Sequence, residues 1–538
     1  MRSGGVSVLE PVPACGALAR EGAAPPVARG VAADAPAGDA AIAASGIASL
    51  DEAAELGAVS DVGVRVWLRM PGVERVAVRL EVVDDGGAVA ADACAGPDTD
   101  WTTAVELRLP EPRPGASFVV TVGAPLERTL RGRLAPRTGA PASFAFAFGS
   151  CNLAFRERRG RVEPSPAAGI YDAMAADLES ADARFALWIG DQVYADGCDS
   201  LSVDALLARD AHDADPAMRD RRLLDAYRRV TRCYLGVPGF AALRRRWPSL
   251  CMWDDHEILD DWGAHVVDGE HDRERLRAAS RAYAEYQHAR NPGGGSGAVP
   301  PFAWRFAYGD CGFVALDMRG RRDLARRQAL GEEQWRDLEA WLAGDEAKRV
   351  ATLFVVLVMP VAHAARWFVR ALEHLPVRFA SAVRDRWCSS FFTAERDRLL
   401  AALRAWRREH SHRQVVLLSG DVHAASAFTL RERDGGGVIH QLTSSALASP
   451  IGPFARLLSR IATRGGSLLE PDLAVERHVE CFANNFGLVQ VDARPDGGHV
   501  VRFRIRAFDP RRRALRTAGF VALDPVTGVR VSHGEVDP

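Results

Sequence analysis

Hydrophobic and polar positions change rhythm along this chain, and the changes divide it. From about Val59 to Arg137, apolar and polar residues alternate in short runs such as Val64-Arg65-Val66-Trp67-Leu68 and Ser117-Phe118-Val119-Val120-Thr121-Val122, broken by turn residues such as Asp84-Asp85-Gly86-Gly87. Alternation of period two buries one face of a strand, so residues 46–140 are expected to form an antiparallel β-sandwich of the immunoglobulin or fibronectin kind. After the proline-containing linker Ala135 to Pro141, continuous apolar runs alternate with helical segments, among them Asp220 to Thr231, Gly331 to Ala343 and Ala394 to His410. Runs of that kind need cover on both faces, which predicts an α/β core of sheets flanked by helices. β character returns in Gly487-Leu488-Val489-Gln490-Val491 and Val500-Val501-Arg502-Phe503-Arg504-Ile505, so residues 141–538 are read as one domain with a β-rich C-terminal segment.

Residues 1–45 are rich in Ala, Gly and Pro and poor in large apolar side chains, which predicts a disordered arm. The remainder is ordinary for a globular protein: 48% of the 538 residues are apolar and 26% charged. With 68 basic against 70 acidic residues the net charge is only -2, so no overall field draws the chain to nucleic acid or to an anionic membrane, and the expected partner is a small molecule. Nine cysteines, an odd number without a C-x-x-C pair, suit reduced thiols. Met1 to Gly30 holds no continuous apolar stretch of the kind an export signal needs, which makes the cytoplasm the expected location. The apolar run Leu353 to Ala362 is about half of the ~20 residues a membrane helix requires and contains Pro360, so it is read as a buried strand.

Four apolar segments run into residues that bind metals: Phe144 to Phe148 into Gly149-Ser150-Cys151, Ala186 to Ile189 into Gly190-Asp191-Gln192-Val193-Tyr194, Leu250 to Trp253 into Asp254-Asp255-His256-Glu257, and Val415 to Leu418 into Ser419-Gly420-Asp421-Val422-His423. In open α/β folds the functional groups lie beyond the carboxyl ends of the strands, where these clusters fall. Any one of these residues alone has a structural reading, as a cap, a core thiol or an ion-pair partner; their co-occurrence argues for a metal-dependent hydrolase. Metal ions hydrolyse a phosphate ester by supplying a metal-bound hydroxide and neutralising charge on the phosphoryl oxygens. Asp191 is placed to bridge two ions, with Asp421 and His423 closing the cage; their spacing puts both on one face if the segment is extended. The thiolate of Cys151 and the phenolate of Tyr194 favour an Fe(III)-type ion, while the carboxylates of Asp191 and Asp255, with Asp261 a further candidate, suit a harder ion such as Ca or Mn. His256 is read as the acid for the leaving group, with Glu257 or Asp254 holding its other nitrogen, and Arg319 as a clamp on a phosphate oxygen.

In that order, Gly149-Ser150-Cys151, Gly190-Asp191-x-x-Tyr194, Trp253-Asp254-Asp255-His256-Glu257 and Ser419-Gly420-Asp421-Val422-His423 resemble the PhoD-like alkaline phosphatases over roughly residues 140 to 450. The resemblance implies a calcineurin-like metallophosphatase core of two facing β-sheets, an Fe(III) and Ca(II) site with Mn or Zn as other occupants, and hydrolysis of phosphodiesters and phosphomonoesters. Carried over, Cys151, Asp191, Tyr194, Asp421 and His423 fall at metal-ligand positions, Asp255 at the Asn of the superfamily's Gly-Asn-His-Glu motif, and His256 at its catalytic histidine. Asp317-x-Arg319 is similar to the family's Asp-x-Arg. Asp260-Asp261-Trp262 resembles an intracellular-type branch. Two other readings stand beside this one: a non-catalytic metal- or anion-binding module of the same fold, and a metal-dependent acyl or lactone hydrolase.

Overall fold

A computed structural model describes residues 47–532 except 84–85, 199, 210–215, 265–268, 375–378, 434–436 and 450–472. The expected N-terminal arm lies outside the described residues. The first β unit holds two antiparallel sheets. One is built from Ala53–Val59, Gly63–Arg69 and Thr102–Arg108, the other from Ala88–Cys94, Arg75–Val82, Ser117–Val122 and Arg128–Arg133. Along Arg75–Val82 exposed and buried residues alternate strictly, and the inward ones, Val76, Val78, Leu80 and Val82, join a core of this unit's own. Its joint to the rest is ionic and buried. Glu55 accepts from Arg244 at 3.1 and 2.9 Å and pairs with Arg290, and the Trp67 indole donates to the Glu285 carbonyl at 2.8 Å. Arg244 is therefore interior, held by Glu55.

The larger part contains two seven-stranded sheets. In the first, Ser249–Met252, Ala183–Ile189 and Phe144–Gly149 run parallel and continue through the antiparallel strands Asn485–Ala493, His499–Asp509, Ala514–Asp524 and Gly528–Ser532. The second lines up Trp304–Tyr308, Cys311–Ala315, Thr352–Val356, Gln414–Ser419, Val438–Thr443, Ala425–Glu432 and Leu473–Cys481, with the strands from Cys311 to Thr443 parallel where they adjoin. The sheets face each other through aromatic packing: the Phe146 ring meets Phe313 and Phe354 edge-on, each at 5.4 Å between centroids. Phe144–Gly149 and Gln414–Ser419 are buried at every position, which is why their sequences are unbroken apolar runs.

The predicted helices occur as Pro216–Leu235, Glu332–Ala343 and Thr393–Arg408, each turning an apolar stripe inward, such as Leu399, Leu400, Leu403 and Trp406 of the last. The run expected as one strand from Leu353 to Ala362 is a strand only over Thr352–Val356; beyond it the buried chain leaves the sheet. Among the described residues no helix is long and apolar enough to cross a membrane. The parallel strands of each sheet end at a common edge, where the loops after Gly149, Ile189, Met252 and Ser419 meet.

Candidate metal centre

Backbone geometry marks this edge before any side chain is considered. Cys151, Asp191, Asp421 and His423 have φ of 56°, 56°, 65° and 51°, in the left-handed region that costs a non-glycine residue about 1–3 kcal/mol. Strain of that kind persists only where surrounding contacts over-determine the loops. Here Glu257 supplies them: its carboxylate accepts from the backbone N–H of Asp191, Gln192, Val193 and Asp254 at 2.8–3.2 Å. Close packing of the loops also needs glycine at Gly420, where a Cβ would stand 2.3 Å from Ser150 Oγ. Ser150 Oγ in turn accepts from the Asp421 N–H at 3.1 Å, joining the loops of the two sheets. The expected extended conformation of Asp421-Val422-His423 is corrected: Val422 donates to the Gly420 carbonyl and His423 to the Asp421 carbonyl, at 2.8 and 2.9 Å, so the ligands are presented by tight turns.

The six residues expected to bind metal come together. Cys151 Sγ lies 3.3 Å from Asp191 Oδ2 and 3.5 Å from the Asp421 carbonyl, and it is hydrogen-bonded to His423. Burial pushes its thiol up, but the His423 charge and hydrogen bonds from His423, Ser445 and Ser150 outweigh burial and bring it down to about 6. Tyr194 hydrogen-bonds Ser449 at 3.0 Å, and burial, with Cys151 and Asp191 nearby, holds its phenol well above the usual range. Ligand atoms of Asp191, Asp255 and His256 lie within 4.8 Å of one another, as do those of Asp255, Asp260 and Asp261. The Asp191 carboxyl is driven well up by burial and by the surrounding Cys151, Asp254, Asp255 and Glu257. Buried oxygens Asp191 Oδ1 and Asp254 Oδ2 accept no hydrogen bond, and Asp421 Oδ2 faces Arg386 in an ion pair. Carboxylates crowded together with unsatisfied oxygens, beside a thiol, a phenol and an imidazole, form a donor set that fits multivalent cations.

His256 sits at the rim, half-buried, its ring 4.2 Å from that of Tyr194. Its Nδ1 is held by Asp196 at 2.8 Å and not by Glu257 or Asp254, which corrects the expected partner. Burial works against the imidazolium, yet Asp196 and Asp255 raise it to about 10. Arg319 is elsewhere than expected. It is fully buried beneath the cage, and its guanidinium donates to Asp254, to the Trp262 carbonyl at 2.8 Å and to both oxygens of Asp385 at 2.6 and 2.8 Å, with Asp255 at 3.3 Å. No donor is left for a phosphate, because these acidic partners consume the whole planar fork.

Several residues at the site carried no recognisable signal in the sequence. Asp196 holds His256, Ser445 donates to Cys151 at 3.1 Å, and Arg386 forms an ion pair with Asp421. His363, half-buried seven residues past the strand Thr352–Val356, has its imidazole pushed down to about 3 by burial and by the Arg386 charge. Only Glu257 stood inside a motif, and there its helix-like proximity to His256 suggested a different task.

Three comparisons bear on this geometry. The chain matches the PhoD-like phosphatase family over residues 146–500, two thirds of its length. A solved structure described as that of PhoD is similar over 90% of this chain and 92% of its own, at 18% identity and a TM-score of 0.64; a purple acid phosphatase, PPD1, from yellow lupin (Lupinus luteus) seeds is similar over 87% and 73%, at 11% identity and a TM-score of 0.50. At such identities the likeness is one of fold, and it fits a metallophosphatase core. No curated protein sequence matches the chain significantly. The family match covers every strand end that builds the cage, and the chain belongs to the PhoD-like phosphatase family, metal-dependent hydrolases of phosphoric esters.

Proposed function

We propose that this chain hydrolyses phosphodiesters and phosphomonoesters of small molecules, with Fe(III) and Ca(II) in the cage. The observation that carries the reading is the convergence of Cys151, Asp191, Tyr194, Asp255, Asp421 and His423 on one locus, with donor-free oxygens on Asp191 and Asp254 and with His256, held by Asp196, beside it. Cys151, Tyr194 and His423 would hold the iron, Asp255 the calcium, and Asp191 both, with Asp421 completing the cage. Such ions, when bound, make water nucleophilic at neutral pH and offset charge on phosphoryl oxygens. The protein's own contribution is positional. Glu257 fixes the Asp191 loop, so the ligands need little reorganisation. Asp196 anchors Nδ1 of His256, which leaves Nε2 to donate a proton to the departing alkoxide oxygen. Asp260, 3.8 Å from Nε2, helps keep the imidazolium charged.

Two finer readings accompany this. The N-terminal sheets, with strands ordered first-second-fifth and fourth-third-sixth-seventh, support an immunoglobulin- or fibronectin-like sandwich. All eight cysteines in the described residues are free thiols, which supports a reducing compartment such as the cytoplasm. The test of function is metal analysis of purified protein by mass spectrometry, paired with assays on bis-p-nitrophenyl phosphate and p-nitrophenyl phosphate. Near-stoichiometric iron and calcium with turnover of these esters is expected. Protein that takes up no metal on reconstitution, or that cleaves carboxylic esters and leaves phosphoesters intact, would overturn the proposal.

A further inference from the structure

With Arg319 locked beneath the cage, the phosphate needs another cationic partner. The connection between the strand Thr352–Val356 and the helix Thr393–Arg408 carries two short helices, Arg366–Leu372 and Phe379–Arg384, and the residues that follow the second come down onto the cage. Arg386 lies there. Its side chain is 25% exposed, whereas Arg319 and Arg322 below it are fully buried. It faces Asp421 as an ion pair, and the two facing atoms, Arg386 Nη1 and Asp421 Oδ2, are buried without an aligned hydrogen bond.

The residue before it is fixed from below. Both Asp385 oxygens accept from Arg319, and its carbonyl accepts from Arg322. Ser381, one helical turn earlier, donates to Asp261, whose own N–H donates to Asp255 at 2.7 Å. The segment is thus tied to the residues that carry the cage, and it presents at the mouth one guanidinium that is partly exposed and ion-paired with Asp421.

We propose that Arg386 binds a non-bridging oxygen of the substrate's phosphate, and that Asp385, locked to Arg319, is the residue that positions it. The inference rests on the phosphoesterase reading above. A guanidinium suits this work because its planar fork matches phosphate oxygens and remains charged at any working pH. The Asp421 carboxylate shows that an anionic oxygen fits against it at the cage mouth, and a phosphate oxygen offers the same charge there.

The experiment compares wild-type protein, loaded with its metals, with Arg386→Ala, Arg386→Gln and Asp385→Asn. Binding of inorganic phosphate is followed by calorimetry, metal content by mass spectrometry, and KM and kcat on bis-p-nitrophenyl phosphate. Losing a charge-assisted contact should weaken phosphate binding and raise KM by about 10- to 100-fold in Arg386→Ala, with metal content as in the wild type. Asp385→Asn should raise KM with kcat little changed and metals retained. Arg386→Gln, close in shape and neutral, carries the test if the alanine variant does not fold. Unaltered phosphate affinity in the Arg386 variants overturns the proposal, and so does a loss of metal that parallels the loss of phosphate binding. Wild-type protein that turns over no phosphoester would instead sink the functional reading on which the proposal stands.

Discussion

Cys151 and Cys311 are both fully buried thiols beside an aspartate and a histidine, and they lie at opposite ends of the paired sheets. Cys151 follows the strand Phe144–Gly149 and meets Asp191 and His423; Cys311 opens the strand Cys311–Ala315 and meets Asp310 and His499. Their thiols are displaced in opposite directions. That of Cys151 is drawn down to about 6 by His423 and hydroxyl donors in spite of burial, whereas that of Cys311 is raised well above the usual range by burial and by Asp310. At the Cys151 end the backbone is left-handed at four ligand positions and carboxylates crowd one another; at the other end none of the three residues has positive φ and Asp310 is the single acid of the group. Asp310 Oδ1, like Asp191 Oδ1, accepts no hydrogen bond, so residue types and a bare oxygen only nominate a site, while surplus negative charge and strained turns distinguish a metal centre from a packed polar knot.

The contrast breaks most readily at Asp191. Asp191→Asn should abolish activity and remove bound metal, since it removes the negative charge of the residue that reaches both proposed ions and leaves one amide oxygen in place of two carboxylate oxygens; retention of full metal content would dismantle the proposed cage. Next in size, His256→Ala should keep the metals and lower kcat by about 10²- to 10⁴-fold, the usual worth of a positioned acid. Metal loss in step with rate would make His256 a ligand. Glu257→Ala should weaken metal binding by about 10- to 100-fold, as removal of an orienting partner does, because four backbone N–H groups around Asp191 lose their acceptor. Dialysis against a chelator at graded concentrations reads this directly.

Much of this difference was legible in the sequence because period and position carry it. Apolar runs ending in Gly-Asp or Gly-Ser-Cys fixed the strands, their burial and the edge where the ligands meet, and the six ligand candidates needed no structure to be chosen. What the sequence did not carry is set by contacts between distant segments. Arg319 follows a strand end as the ligands do, and only the fold shows that Asp385, 66 residues away, and Asp254 occupy its donors. Asp196 takes the task that proximity to His256 suggested for Glu257 or Asp254, because the loop after Tyr194 folds back over the histidine while Glu257 turns inward. Arg386 sits in no motif, and nothing local distinguishes it from the chain's other arginines.

The far cluster supplies the smallest effect and the sharpest control. His499 Nδ1 is hydrogen-bonded to Thr352 Oγ1 at 2.9 Å, and Nε2 lies 3.0 Å from Asp310 Oδ1. Cys311 Sγ stands 3.8 and 3.7 Å from Nδ1 and Nε2, nearly equidistant, so the sulfur lies alongside the ring and not in line with either lone pair. A metal on Nε2 would require Sγ close to that nitrogen and distant from the other, the arrangement of a shared tetrahedral ion. His499→Ala should thus leave metal content, KM and kcat unchanged while costing about 1–3 kcal/mol of stability, from a buried hydroxyl and carboxylate that lose their partner. Thermal denaturation together with metal analysis decides it: a lower midpoint with intact metal keeps the two ends distinct, and the loss of one metal equivalent would make the second cluster a centre as well.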